Sequence, residues 1–220
     1  MKLLIFDLDG TILDTLEDLK NAVNHGLSAF GLPEKDKDFV RIAIGNGTKV
    51  LIQRCTPCDI SEEERALVFN AFKDYYFKHF TDNTKPYPGI YEMLLKLKQR
   101  KGVKLAVVSN KDNDLTNQLI EKEFPRVFDI VQGSYFDKPR KPDPYLIEKV
   151  LNENAINKDD CLYIGDTNVD KESAVNASLK YLLVNYGYRN KEELEKMCPN
   201  DTSFSTVDEL YHSILKWVNL

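Results

Sequence analysis

Five short apolar runs, at residues 3–6, 104–109, 128–132, 161–165 and 181–185, leave this 220-residue chain few possible folds. Runs without polar alternation read as strands buried on both faces, as in parallel sheets. The stretches between them carry helical stripes instead. Ile90, Leu94, Leu95 and Leu97 precede the second run, and Leu115, Leu119 and Ile120 the third. Leu146, Ile147, Val150 and Leu151 precede the fourth. Leu210, Ile214, Leu215 and Val218 mark a closing amphipathic helix over 207–218. Strands alternating with helices predict an α/β fold built on a doubly wound, Rossmann-like parallel sheet.

One region breaks the alternation. Residues 15–84 hold no convincing strand. Leu16, Leu19, Val23, Leu27 and Phe30 recur at helical spacing, with Gly31 where that helix would end. Ser61 and Glu64 stand at capping-box spacing before Leu67, Val68, Phe72, Tyr75 and Tyr76. The stretch 83–89, with Pro86 and Pro88, reads as the return. The expected organisation is a core domain of residues 1–14 and 85–220, interrupted by a helical cap of residues 15–84. A cap rooted beside the first strand's end is expected to cover what binds there, exclude water and add substrate contacts.

Composition excludes several classes of function. With 30 Lys and Arg against 35 Asp and Glu, the formal charge of −5 supplies no basic surface for nucleic acid. No apolar run approaches the ~20 residues of a membrane span. The chain enters a strand at once, without a charged-then-apolar leader, which predicts a cytoplasmic protein. Cys55 and Cys58 form a C-x-x-C, but no second pair stands at zinc spacing, so they read as ordinary reduced thiols. The aromatics Tyr75, Tyr76 and Phe77 fit core or interface equally, leaving monomer and homodimer both open.

The ends of the apolar runs carry the chemistry. The first ends in Asp7-Leu8-Asp9-Gly10-Thr11, the second in Ser109-Asn110-Lys111, the fourth in Gly165-Asp166-Thr167-Asn168-Val169-Asp170. Arg140-Lys141-Pro142-Asp143-Pro144 lies ahead of the fourth, in a stretch too rich in proline for a helix or strand interior. Ligands bind at the carboxyl ends of strands in open α/β sheets. Crowded acids there repel one another and raise a pKa unless a cation or proton is shared. Several carboxylates without a His or Cys set favour magnesium over zinc or copper. A hydroxyl, backbone amides near Ser109 and Asn110, and a lysine suit the remaining oxygens of a phosphoryl group. One aspartate can attack phosphorus and another can protonate the leaving oxygen. Taken singly, each piece has a plain alternative: a turn, a helix cap, a surface charge.

In order and spacing across nearly the whole chain, these four motifs resemble the haloacid dehalogenase superfamily. The resemblance implies that Asp7 is the nucleophile and Asp9 the general acid and base. It implies that Asp7, the Asp9 backbone carbonyl and Asp166 hold Mg²⁺, with Asp170 supporting that shell. It further implies that Ser109 and Lys141 bind the transferring phosphoryl group. An acid at position 9 favours phosphoryl transfer over dehalogenation.

Within the insertion, Gly45-Asn46-Gly47 reads as a tight loop that lets backbone amides approach a ligand. That loop, the Pro86-Tyr87-Pro88-Gly89 return and Asn185-Tyr186-Gly187-Tyr188-Arg189 resemble the phosphoglycolate phosphatase branch. Arg41 and Lys49 are candidates to pair with a substrate carboxylate, with solvated cap charges the equal alternative. Ser178 departs from that branch, where glycine usually follows the alanine, and the insert from Asn190 to Ser205 is not diagnostic. The leading expectation is a magnesium-dependent phosphatase of a small phosphorylated metabolite, 2-phosphoglycolate first. A sugar-phosphate mutase or pyrophosphatase of the same superfamily is the alternative. A phospho-accepting receiver or a silent binding module is the remote one.

Overall fold

A computed structural model describes residues 1–219 and divides them into two compact units, residues 1–13 with 86–219, and Asp14–Lys85. The first unit is built on a six-stranded sheet of β1 (Lys2–Phe6), β4 (Val103–Asp112), β5 (Ile130–Ser134), β6 (Cys161–Gly165), β7 (Lys180–Val184) and β8 (Ser203–Phe204). Two further short strands, β2 (Leu13–Asp14) and β3 (Lys85–Pro86), pair with each other. The order across the large sheet is β5-β4-β1-β6-β7-β8, and every pairing is parallel. Successive strands therefore run outward from β1 in one direction, then in the other. The order reverses between β1 and β6, and such a switch point opens a crevice at the strands' carboxyl ends.

Burial explains why these runs became central strands. Leu3, Leu4, Ile5 and Phe6 are all fully buried, as a strand covered on both faces requires. On one face Leu3 and Ile5 pack with Ala106, Val108 and Tyr163 under Leu146, Ile147, Val150 and Leu151 of α7 (Tyr145–Glu153). Phe6 meets Phe128 edge-on, and Phe128 in turn meets Phe124. This aromatic cluster moves the third strand from its expected place: Phe128 is spent on side-chain packing, and pairing with β4 begins at Ile130. β4 runs past Ser109 to Asp112, pairing with β5 across a register shift. β7 lies one residue earlier than expected.

Two elements of the Asn190–Ser205 insert carry too little apolar pattern to show in the sequence. The helix α9 (Lys191–Met197) buries only Leu194, and its start is set by Asn190 and Glu193 capping each other's backbone amides. β8 then closes the sheet edge through two residue pairs with β7.

The second unit holds α1 (Leu16–Ser28), α2 (Lys37–Ala43), α3 (Thr48–Cys55) and α4 (Glu62–His79). The capping box at Ser61 and Glu64 opens α4 as expected. Val68, Phe72 and Tyr76, four residues apart, form its buried stripe, and Gly26 of α1 lies close against Val68 and Phe72. Leu67 and Phe30, read from the sequence as part of these stripes, are instead about half exposed. Cys55 is buried at the end of α3, where burial pushes its thiol up to about 11, while Cys58 is exposed. Cys55 is therefore no activated thiolate. Among the described residues no helix is long and apolar enough to cross a membrane.

Candidate active site

The register of the sheet decides which loops meet. Phe6 pairs with Val107 on one side and Ile164 on the other. Asp7 is one residue beyond that row, and Ser109 and Asp166 are two beyond it. The Asp7 amide still donates to Ile164 O at 2.9 Å, which fixes Asp7 at the mouth of the switch point. Three of the strands thus deliver their motifs to one crevice.

Asp7, Asp166 and Asp170 are buried, and each offers an oxygen within 4.8 Å of the others. Lys141, itself buried, reaches into them: its Nζ is 2.7 Å from Asp7 Oδ1 and 2.8 Å from Asp170 Oδ1. It also donates to the Tyr163 hydroxyl at 2.8 Å. Asp166 accepts from Thr11 Oγ1 and from the Tyr188 amide. Asp170 turns its second oxygen to the Asp166 and Thr167 amides and the Thr167 hydroxyl, binding the loop after β6 to itself. Gly10, at φ +86°, allows this crowding, because a Cβ there would overlap the Asp166 carboxylate.

Electrostatics follow from the count: three buried carboxylates face one ammonium. Burial pushes the Asp7 carboxyl up to about 7, against the pull of Lys141 and with the repulsion of Asp170. Burial likewise raises Asp166, with Asp170 and Asp7 adding to it. Burial alone would lower Lys141, but Asp170 and Asp7 outweigh it and hold the ammonium well above its usual value. The three carboxylates and Lys141 together carry two net negative charges once ionised, which the Arg189 guanidinium offsets in part at Asp166, and this suits one divalent cation held by oxygen ligands. The residues present fit such an ion.

The other expected residues are placed as follows. Ser109 is buried at the end of the straight part of β4 and accepts from the Lys111 amide. Asp9 is held by Lys111, whose Nζ lies 3.0 and 3.1 Å from its two oxygens. Asn110 uses its side chain on the protein: Oδ1 accepts from the Lys141 amide and Nδ2 donates to the Lys141 carbonyl. It thereby holds the loop that presents Lys141, whose bond to Pro142 is cis. Arg41, Gly45, Asn46, Gly47 and Lys49 belong to the second unit. There Arg41 pairs with Asp38, Asn46 accepts from Arg54, and Gly47, at φ +85°, stands at the start of α3. Lys111, Tyr163 and Thr167 were not singled out as site residues by spacing. Lys111 was the legible one, since a lysine beside a strand-end serine and asparagine stands among acids.

The haloacid dehalogenase-like hydrolase family matches residues 4–184. The chain belongs to this family. A phosphoglycolate phosphatase of Vibrio parahaemolyticus is 31% identical over 208 residues, covering 91% of this chain and 90% of its own. Phosphoglycolate phosphatase 1 of Pseudomonas aeruginosa is 32% identical over 204 residues, 90% of this chain and 74% of its own. The crystal structure of a Lactobacillus delbrueckii subsp. bulgaricus protein superposes with a TM-score of 0.89 at 32% identity, over 97% of this chain and 98% of that one. This haloacid dehalogenase-like hydrolase is a phosphatase of the phosphoglycolate phosphatase-like kind. Phosphatases of the family generally use a divalent metal, and the acidic cluster is the matching feature here.

Proposed function

We propose that the protein hydrolyses a small phosphorylated metabolite in the cytoplasm, with 2-phosphoglycolate the first candidate, through a phosphoryl group carried on Asp7. The observation that carries this reading is Lys141 bridging Asp7 and Asp170 inside the carboxylate cluster. Asp7 and Asp166, with the Asp9 backbone carbonyl, would hold Mg²⁺, and Asp170 supports them through the loop amides it binds. Bound there, the ion offsets the cluster's charge and stabilises negative charge on the phosphoryl oxygens.

The chain's own residues divide the remaining work. Asp7 Oδ attacks phosphorus and forms an acyl phosphate as the ester P–O bond breaks. Asp9 gives its proton to the departing alkoxide oxygen, so the alcohol leaves neutral at that atom. Asp9, now ionised, takes a proton from water as the water oxygen attacks phosphorus. The acyl P–O bond breaks, inorganic phosphate leaves and Asp7 is restored. Ser109 Oγ and the Lys141 ammonium hold the transferring oxygens while charge shifts among them. In the second unit, the reading assigns substrate recognition to Arg41, Gly45, Asn46, Gly47 and Lys49.

Phosphate release from 2-phosphoglycolate, sugar phosphates, nucleotides and pyrophosphate tests the proposal, with magnesium present or chelated. Asp7→Asn is expected to lower kcat by about 10³-fold or more, the scale seen when a nucleophile is removed. Acid-quenched enzyme should carry labelled phosphate in the wild type and none in the variant. Magnesium-independent release, or full activity of Asp7→Asn, would overturn it.

A further inference from the structure

We propose that Lys111, in addition to the residues assigned above in the second unit, selects the substrate by binding a carboxylate on the carbon next to the phosphate ester oxygen. The inference rests on the hydrolytic reading above and assigns one residue of the first unit to the recognition of phosphate esters of 2-hydroxy acids.

Lys111 is buried near the end of β4, two residues beyond Ser109, whose hydroxyl accepts its amide. Its side chain is only 4% exposed, and its ammonium spans both oxygens of Asp9. A buried ammonium requires an anionic partner, and in this structure Asp9 serves as one. Asp9 has another task, however. To protonate the leaving oxygen it must first take up a proton from solvent and turn that carboxyl oxygen toward the ester, and a carboxylate gripped at both oxygens by an ammonium is held from both steps. A second anion that took over Lys111 would release Asp9.

Geometry says where that anion must sit. A general acid works within roughly 3 Å of its target oxygen. Lys111 Nζ is 3.0 Å from the same carboxylate, so it lies within about 6 Å of the leaving oxygen once Asp9 is in place. A carboxylate on the adjoining carbon begins two bonds beyond that oxygen and fits this interval. Lys141 does not compete for the role, because its place between Asp7 and Asp170 sets its ammonium at the nucleophile, on the phosphoryl side of the ester. The two lysines therefore divide the ester between them, Lys141 on the phosphoryl side and Lys111 on the leaving-group side. Binding the correct leaving group also frees the acid that expels it, so recognition and proton transfer are linked by one exchange of partners.

The test compares 2-phosphoglycolate with ethyl phosphate, which has a methyl group where the other has its carboxylate. In Lys111→Met the ratio of the two kcat/KM values should fall roughly 10- to 100-fold, the worth of a hydrogen-bonded charge, and mostly through KM for 2-phosphoglycolate. Lys111→Arg should recover part of the ratio. Equal losses on both substrates would overturn the inference and leave Lys111 as a clamp on Asp9 alone. A wild-type series needs no variant to fold: moving the carboxylate one carbon farther, in 3-phosphooxypropanoate, should bring kcat/KM down toward that of ethyl phosphate. Turnover equal to that of 2-phosphoglycolate would overturn it. If the wild type releases phosphate from none of the three or from the wider panel, the hydrolytic reading itself fails; release with an unchanged ratio removes only the role of Lys111.

Discussion

At the residue scale, Ser178 shows how one dihedral angle outweighs composition. It follows α8 (Asn168–Asn176) in the left-handed region at φ +61°, exposed, with its amide donating to Val175 O. A side chain in that region costs about 1 kcal/mol, and glycine avoids the clash while losing more chain entropy on folding. Ser178→Gly should therefore stabilise the protein by roughly 0.5 kcal/mol, read as a higher denaturation midpoint. The departure noted in the sequence is thus a local cost at a helix end, remote from the chemistry of the carboxylate cluster. Asp7, by contrast, was legible as a reactive residue because its neighbours in sequence already implied crowding. Tyr163 was not. It sits inside an apolar run, and only its side-chain direction brings the hydroxyl to Lys141 and Val108 O.

At the scale of elements, polar side chains tie loops that the hydrophobic pattern leaves undefined. In the core unit, Asn110 makes a two-point contact with the Lys141 backbone. Asn110→Ala should lower kcat/KM about tenfold or more by loosening that loop, while Tm drops only slightly. An unchanged kcat/KM would show that Lys141 is placed without it. In the second unit, Asp18 of α1 is buried and accepts from the Asn83 amide and side chain and from the Thr84 amide and hydroxyl. Asp18→Ala leaves these donors short of an acceptor and should cost about 3 kcal/mol in chemical denaturation. From the sequence, Asp18 looks like an ordinary acid in a helix's first turn. The helices α1 and α4 were legible because burial repeats along them. The polar helix α9 was missed because a single leucine anchors it, although its Asn190 and Glu193 carried a capping signal.

At the scale of the whole molecule, the carboxylate cluster links stability to pH and metal. Asp7 titrates from 3.8 toward about 7 on folding, so the folded state holds a proton that the unfolded chain has released. Its stabilising contribution is complete below about pH 4 and is lost as pH rises through about 7. Glu17 and Asp201 shift downward and are already ionised above pH 5, so they do not oppose the trend there. The metal-free protein should therefore lose Tm between pH 5 and 8. Saturating magnesium should raise Tm most at the upper end, flattening the profile, because it binds the ionised cluster. A metal-free profile that rises with pH would contradict the retention of a proton by the folded cluster. The sequence by itself determined the class of fold, the buried strands and the four motifs at their ends, because burial and strand period are written in local order. It also determined the kind of chemistry, since hard oxygen donors with a lysine and a hydroxyl admit few uses. The tertiary structure decided which groups share a crevice. The strand order β5-β4-β1-β6-β7-β8 and its register bring Asp7, Asp166, Asp170 and Lys141 together, and set Lys111 on Asp9. Contacts between residues a hundred positions apart depend on register and side-chain direction, which no local pattern encodes.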